Sequence, residues 1–227
     1  MLRLHGYPVS NYFNIARAAL IEKKVDFEIV IARASQDEAF LEHSPMGKIP
    51  VLETRHGWLG ETVAILDYLD DAFPDIPLRP ADPFARARGR QIVNIVQMYV
   101  EAPARALFPG VFFGGTNDRA TEIASDAMLS RATAALARLV RPSPYFFGRA
   151  IGQADLFAFY TLDLAERVAQ FVFNRSLLGE IGKLGAWNAA MRERASSRVV
   201  LEDFEDYLSR YLLDRGAAYG ETQAAVG

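Results

Sequence analysis

The chain has 227 residues, of which 51% are apolar and 23% charged, and this length and composition fit a globular protein of two domains. A formal charge of -3 without any Lys/Arg block argues against binding to the phosphates of nucleic acid. The absence of cysteine excludes disulfides, thiolate metal ligands and catalysis by a protein thiol, so any thiol chemistry must come from a ligand.

Residues 1–76 alternate between strand and helix patterns and predict an α/β domain. Strands are predicted at 2–7, 27–31, 50–53 and 57–58, and helices at 11–23, 36–41 and 61–72. The first helix has an apolar face formed by Tyr12, Ile15 and Ala19, so it can pack against a sheet.

A proline-rich linker is predicted at 77–84, because the prolines between Phe73 and Phe84 prevent a helix and remove backbone donors. After it the patterns are helical only, which predicts an all-helical domain at 85–215. Its helices are predicted at 84–107, 118–140, 153–170, 176–194 and 200–213. Residues 216–227 are rich in Ala and Gly and are predicted to form a flexible tail.

The sequence predicts a cytoplasmic protein that does not enter a membrane. Its first ten residues turn polar too early for a signal peptide. The most apolar later stretch, 156–173, contains the charged residues Asp163, Glu166 and Arg167.

The segment GKIPVLE places Pro50 at the start of a predicted strand, where a proline cannot donate to a sheet ladder. A cis Ile49–Pro50 bond would turn the chain and leave the backbone groups of Ile49 free to pair with an extended peptide. A trans proline that only starts an edge strand is the alternative, and the motif alone does not decide between the two.

Two predicted helix starts carry acidic or hydroxyl side chains. Glu61 and Thr62 open the helix at 61–72, whose unpaired N–H groups suit a carboxylate, although either residue could simply cap the helix. Ser10 precedes the first helix, where its hydroxyl could donate to a sulfur anion or serve as an ordinary N-cap. Lowering a thiol pKa by about two units takes about 2.7 kcal/mol, which one charge-assisted hydrogen bond and a helix end can supply.

Three segments, YPVSNYFNIARAAL, LEHSPMGKIPVLE and GETVAILDYL, stand in the order and spacing of the N-terminal half of a glutathione transferase. The chain resembles that superfamily over its first eighty residues, and more loosely afterwards through the proline linker and FFGRAIGQADLFAFYTLD. The resemblance implies a thioredoxin-like domain followed by an all-α domain, glutathione as co-substrate without a metal, a role in detoxification, and a homodimer.

The resemblance also implies a set of glutathione-binding residues. Ser10 matches the catalytic serine of the serine-type classes, which include theta, zeta and bacterial relatives. Ile49 matches the residue whose backbone pairs with the cysteinyl part of glutathione, and Pro50 matches the cis proline. Glu61 and Thr62 match the pair that receives the γ-glutamyl end. The implied site is completed by Asn11 and, where members often bind the glycine carboxylate, by His43 and Lys48.

The chain departs from the superfamily pattern in three places. Gly6 stands where the tyrosine-type classes have their tyrosine, which leaves Tyr7 as a second candidate only. The lack of cysteine excludes the cysteine-type classes. Gly152 stands where members have a Ser or Thr cap three residues before a buried Asp, here Asp155, so the side-chain cap is lost while glycine remains tolerated.

The predicted reaction is conjugation of glutathione to an apolar electrophile held between the domains. Its site is expected to include Arg105 as a polar contact and, as walls, Tyr7, Tyr12, Phe13, Tyr99, Phe108, Phe112 and Phe113. Core or dimer packing is the commoner use of such aromatics. The alternatives are a glutathione-dependent isomerase, ether-cleaving enzyme or peroxidase, and a non-catalytic binding or assembly module.

Overall fold

The computed structural model of the protein describes residues 1–220. Its first part consists of β1 (Leu2–Gly6), α1 (Asn11–Glu22), β2 (Phe27–Ile31), α2 (Glu38–Leu41), β3 (Val51–Thr54), β4 (Gly57–Leu59) and α3 (Thr62–Ala72). The strands form one sheet in the order β2-β1-β3-β4, in which β1 and β2 are parallel and the other two pairs are antiparallel. Every strand and helix predicted for this part is present, with small shifts at the ends.

In β1 and in α1, apolar residues that recur with the period of each element are buried. Leu2 and Leu4 of β1 are buried, and Ile15 of α1 is completely covered. A Cβ on Gly6, at the end of β1, would lie 2.4 Å from the ring of Phe13. This close approach is possible only for glycine, and it makes Phe13 part of the core between α1 and the sheet.

The second part is helical. It consists of α4 (Pro83–Ile95), a π-helical turn (Val96–Glu101), α5 (Ala102–Ala106), α6 (Phe108–Phe112), α7 (Arg119–Leu139), α8 (Gln153–Phe173), α9 (Leu177–Glu180), α10 (Leu184–Arg192) and α11 (Ala195–Leu213). Helix α8 is central, because residues 154–165 are all buried and it contacts α1, α4 and the π-helical turn. The predicted fold, a thioredoxin-like α/β part followed by an all-α part, is confirmed. In the described part of the chain, no helix combines the length and apolar character needed to cross a membrane.

Two predicted helices differ from the structure. The helix predicted at 84–107 begins one residue earlier, at Pro83, and the π-helical turn interrupts it. The predicted linker 77–84 therefore ends before Pro83. The segment 176–194 is divided into α9 and α10 around Gly182, because glycine has a low helix propensity.

Buried polar contacts hold the linker to both parts of the fold. On the side of the α/β part, they are made by the buried ion pair of Lys23 and Asp70. Lys23 Nζ lies 2.7 Å from Asp70 Oδ1 and also donates to the Ile76 carbonyl at 2.6 Å. Asp70 accepts from the Leu78 N–H at 2.9 Å. The Leu78 carbonyl in turn accepts from the Gln153 N–H at 2.8 Å, which satisfies a free donor at the start of α8. The linker therefore connects α1, α3 and α8 through buried polar contacts.

The start of α8 shows why Gly152 is accommodated. A Cβ on Gly152 would lie 3.0 Å from the Leu78 carbonyl oxygen, so the linker occupies the space of a Ser or Thr side chain. Asp155 accepts from the N–H groups of Phe146 and Gly152 at 2.9 and 3.0 Å, and from Trp187 Nε1 at 2.8 Å. Burial raises the pKa of Asp155 to about 6. The buried carboxylate thus fixes the helix start without a side-chain cap.

We expect Asp155 to make the stability of the fold depend on pH. Its folded pKa of about 6 lies above the value of about 3.9 for an unfolded Asp, so the folded state keeps this proton to higher pH. The resulting stabilisation is fully present below about pH 4 and is lost as the pH rises through about 6, with a slope approaching about 1.4 kcal/mol per pH unit. Urea unfolding of the wild type and Asp155→Asn across this range measures the difference. Equal slopes in the two proteins would contradict the prediction.

The C-terminal residues beyond α11 are packed where the structure describes them. Tyr219 is buried, and its ring centroid lies 5.3 Å from that of Phe112. Within the predicted flexible tail, 216–227, the aromatic side chain of Tyr219 therefore packs against α6. Residues 221–227 of that tail lie outside the described residues.

Candidate functional site

A cavity of about 360 Å³ lies where the α/β part meets the helical part. The residues predicted to bind glutathione that line it are Ser10, Asn11, Lys48, Ile49, Pro50, Glu61 and Thr62. The predicted electrophile-site residues that line it are Tyr7, Tyr12, Arg105, Phe108, Phe112 and Phe113. The cavity thus combines polar groups of the first part with an aromatic wall. Within residues 1–220, no group of three or more His, Asp or Glu side chains is placed to hold a metal ion.

Ser10 is the N-cap of α1 and lies at the cavity wall. Its backbone is extended, with φ -81° and ψ 116°, and its Oγ accepts from the Phe13 N–H at 3.3 Å. A hydroxyl has one donor hydrogen and two acceptor lone pairs, so this cap leaves the hydrogen of Ser10 available. Capping and donation to a ligand are therefore compatible in the same side chain.

The Ile49–Pro50 peptide bond is cis, which decides between the two alternatives that the motif left open. The loop before it is braced by Ser44, whose Oγ donates to the Lys48 carbonyl at 2.7 Å and accepts from the Lys48 N–H at 2.9 Å. In the part of the chain that the structure describes, the backbone N–H and C=O of Ile49 have no hydrogen-bond partner. These two groups can pair with an extended peptide in the cavity.

Glu61, the N-cap of α3, has a strained backbone. Its φ of 58° and ψ of 110° lie where residues with a side chain are rarely found, and its carboxylate makes no capping hydrogen bond. Such strain costs about 1–3 kcal/mol and concentrates at ligand-binding sites. The next residue, Thr62, is buried at the first position of α3, where the N–H groups have no partner within the helix. The start of α3 can therefore receive a carboxylate.

Another wall of the cavity is aromatic, in contrast to these polar groups. The rings of Phe108 and Phe112 pack edge to face with centroids 5.0 Å apart, and the Arg105 guanidinium lies 5.0 Å over the Phe108 ring. Burial raises the pKa of Tyr12 to about 12, and the charge of Glu101 contributes to this rise, so the phenol stays neutral at physiological pH. A largely apolar wall with a few fixed polar groups is typical of small-molecule sites.

Three predicted site residues do not line the cavity. Phe13 is completely buried beneath Gly6 and belongs to the core. Tyr99, in the π-helical turn, is 40% exposed and faces elsewhere. The ring of His43 stacks on that of Trp58, with centroids 4.0 Å apart and planes 16° apart. These three residues therefore lie outside the cavity, because spacing along the chain does not determine which way a side chain points.

Several cavity residues were not predicted from the sequence, namely Val9, Ala34, Ser44, Gln97, Leu164, Leu208 and Tyr211. Leu164 and Leu208 follow ordinary helical periodicity, which predicts burial but not the surface that they face. Tyr211 belongs to α11, which reaches the site because it packs against α1. No local signal in the sequence identifies Tyr211 as a cavity residue.

Comparisons with known proteins agree with this architecture. Residues 4–79 match the family described as glutathione S-transferase, N-terminal domain. A glutathione S-transferase of Pseudomonas putida is 36% identical over 212 residues, which cover 93% of this chain and 96% of the relative. A probable maleylacetoacetate isomerase of Caenorhabditis elegans is 36% identical over 96 residues, which cover 41% of this chain and 45% of that protein. The crystal structure of a glutathione S-transferase from Rhodospirillum rubrum has a TM-score of 0.75 at 24% identity, covering 88% of this chain and 92% of the other.

Proposed function

Because this chain belongs to the glutathione S-transferase family and is an enzyme of that family, we propose that it ionises glutathione in the cavity with a hydrogen bond from Ser10. The thiolate then attacks an apolar electrophile. The observation that carries the proposal is that the Ser10 hydroxyl lines the cavity at the start of α1 with its hydrogen free to donate.

The two groups around the sulfur supply enough energy for its ionisation. Moving a thiol pKa from about 8.5 to about 6.5 corresponds to about 2.7 kcal/mol of preference for the thiolate. A hydrogen bond to a charged group contributes about 1.5–3 kcal/mol, and a helix N-terminus about 0.3–1 kcal/mol. The Ser10 hydroxyl and the start of α1 together therefore account for the required shift.

The remaining parts of glutathione fit other places in the cavity. The free backbone groups of Ile49 support pairing with the cysteinyl residue by strand addition. The start of α3 at Thr62 suits the γ-glutamyl carboxylate, the carboxylate of Glu61 suits the ammonium of the same end, and Lys48 suits the glycine carboxylate. Holding glutathione along its length would keep its sulfur beside Ser10 and reduce the entropic cost of the reaction.

The second substrate would bind against the aromatic wall of Tyr12, Phe108 and Phe112. In a substitution, the thiolate forms a bond to the electrophilic carbon while the leaving group departs with the electron pair of the broken bond. In an addition to an unsaturated carbonyl, solvent supplies the proton that completes the product. We include in the proposal that the enzyme is a cytoplasmic homodimer that acts in detoxification.

A glutathione-dependent isomerase is the second candidate, because the related proteins include ones named maleylacetoacetate isomerase. In that reaction the thiolate would add to a carbon–carbon double bond, the resulting single bond would rotate, and the thiolate would leave again. Glutathione is consumed by conjugation but not by isomerisation. Quantifying glutathione before and after complete turnover therefore separates the two candidates.

Calorimetric titration with glutathione, followed by turnover assays with aryl halides, epoxides, peroxides and unsaturated carbonyls, tests the proposed function. We expect saturable binding and glutathione-dependent turnover of at least one of these electrophile classes. Binding without turnover of any class would favour a non-catalytic module. Absence of binding would contradict the proposed function altogether.

A further inference from the structure

Asn11, the first residue of α1, has a buried amide donor without a partner. The residue is 2% exposed and lines the cavity next to Ser10. Its Oδ1 accepts from Arg105 Nη2 at 3.1 Å, whereas its Nδ2 has no hydrogen-bond partner among the described residues. Asn14, one turn later, is equally buried, but its Nδ2 donates to the Pro8 carbonyl at 2.7 Å. Since buried polar atoms are paired in the large majority of cases, the Asn11 donor calls for an acceptor from a ligand.

The orientation of this amide is fixed from the helical part of the fold. A guanidinium has five donors and no acceptor, so only the oxygen of the Asn11 amide can face Arg105. Arg105 is held by Glu101, whose Oε1 lies 2.5 Å from Arg105 Nε and whose side chain is only 7% exposed. The Arg105 guanidinium also lies over the rings of Phe108 and Tyr12. These contacts keep the Asn11 Nδ2 turned away from Arg105.

We propose that Asn11 Nδ2 is a second hydrogen-bond donor to the glutathione sulfur, beside the Ser10 hydroxyl, and that Arg105 and Glu101 position it. This inference rests on the proposed function. Ser10 and Asn11 are consecutive residues at the start of α1 and both line the cavity, so a sulfur bound by one is next to the other. Each donor that bonds the charged form of a group lowers its pKa, and two donors lower it further than one.

The surrounding charges favour an indirect role for Arg105. The ionisable residues that line the cavity are Tyr7, Tyr12, Lys48, Glu61, Arg105 and Tyr211. Arg105 forms an ion pair with the buried carboxylate of Glu101, which neutralises its charge. Arg105 therefore acts on the sulfur mainly through the amide that it orients, and its effect requires Asn11.

The pKa of the bound thiol, read from ultraviolet thiolate absorbance of glutathione-saturated protein across pH, tests this role. Asn11→Leu removes the donor without adding charge, and we expect it to raise the thiol pKa by about one unit. At a pH below both pKa values, the thiolate population then falls about tenfold. Asn11→Asp keeps an acceptor for Arg105 but loses the donor and adds a negative charge, so its rise is expected to be larger. An unchanged titration in Asn11→Leu overturns the inference, because the added charge of Asn11→Asp raises the thiol pKa even without a lost donor.

A double-mutant comparison tests the positioning role of Arg105. Arg105→Met is expected to raise the thiol pKa when Asn11 is present, because the amide is then free to turn. In the Asn11→Leu background the same substitution is expected to have no further effect. An equal shift in both backgrounds overturns the positioning role, because Arg105 then acts without Asn11.

The same titrations separate this inference from the proposed function. A thiol pKa that rises in Ser10→Ala but not in Asn11→Leu overturns the inference and leaves the proposed function in place. A wild-type protein that binds no glutathione overturns both.

Discussion

Replacing Ser10 by Ala is expected to leave glutathione bound but to raise the pKa of its thiol by about one to two units, the worth of one hydrogen bond to a charged group, while Asn11 and the start of α1 still favour the thiolate. The peptide keeps its contacts at Ile49, Lys48 and the start of α3, whereas the sulfur loses the hydroxyl that favours its charged form. At a pH below both pKa values the thiolate population, and with it kcat/KM, is expected to fall about tenfold to a hundredfold. Thiolate absorbance against pH and kcat/KM for a reactive aryl halide measure the two effects.

The controls separate this effect from the loss of a helix cap. Ser10→Ala also removes the acceptor for the Phe13 N–H, which costs about 1 kcal/mol of stability. Ser10→Asp keeps that acceptor but cannot donate, so we expect a folded protein with a raised thiol pKa. Ser10→Thr keeps the hydroxyl and is expected to retain the low pKa. If Tyr7→Phe raises the thiol pKa and Ser10→Ala does not, the donor is Tyr7.

Replacing Asp70 by Ala is expected to lower the free energy of unfolding by about 3–5 kcal/mol. The side chains of Lys23 and Asp70 are 0% and 3% exposed, so the substitution leaves a buried ammonium with only the Ile76 carbonyl as acceptor. It also leaves the Leu78 N–H without its acceptor. Because Leu78 connects the linker to the start of α8, we expect faster amide hydrogen exchange at that helix start. Urea unfolding followed by the fluorescence of the buried Trp187 measures the loss of stability.

Asp71 provides a matched control for this substitution. It is adjacent in the chain and pairs with Arg79, but its side chain is 73% exposed. Exposed ion pairs contribute about 0–1 kcal/mol, so Asp71→Ala is expected to have a small effect. Lys23→Met combined with Asp70→Leu replaces the buried pair by apolar side chains and should recover the stability lost to the unpaired ammonium, but not that lost at the Leu78 N–H. Similar losses in Asp70→Ala and Asp71→Ala would contradict the role assigned to the buried pair.

The α/β part was predictable because its patterns depend on residues close together in the chain. The apolar spacing in α1 and the alternation in β1 give the right elements at nearly the right ends. Prediction failed where packing with distant segments decides, as in the π-helical turn at 96–101. The short helices α9 and α10 were merged for a different, local reason, since the predicted helix 176–194 did not take account of the low helix propensity of Gly182.

The candidate site was predictable where its residues stand at the ends of elements. Ser10, Ile49 and Thr62 lie at such ends, and the topology of the sheet brings these ends to one cavity. His43 and Tyr99 lie outside the cavity, because the face that a side chain takes is set by its packing partners, which for His43 include Trp58.

The sequence by itself determined the fold class, the family and the chemistry available, since a chain without cysteine must obtain its thiol from a ligand. It also placed a hydroxyl at the start of α1. Only the tertiary structure decided what surrounds that hydroxyl. The contact between Asn11 and Arg105 joins residues 94 positions apart, and Tyr211 comes from α11. Such contacts depend on how helices pack against one another, and a pattern of local periodicity does not encode that geometry.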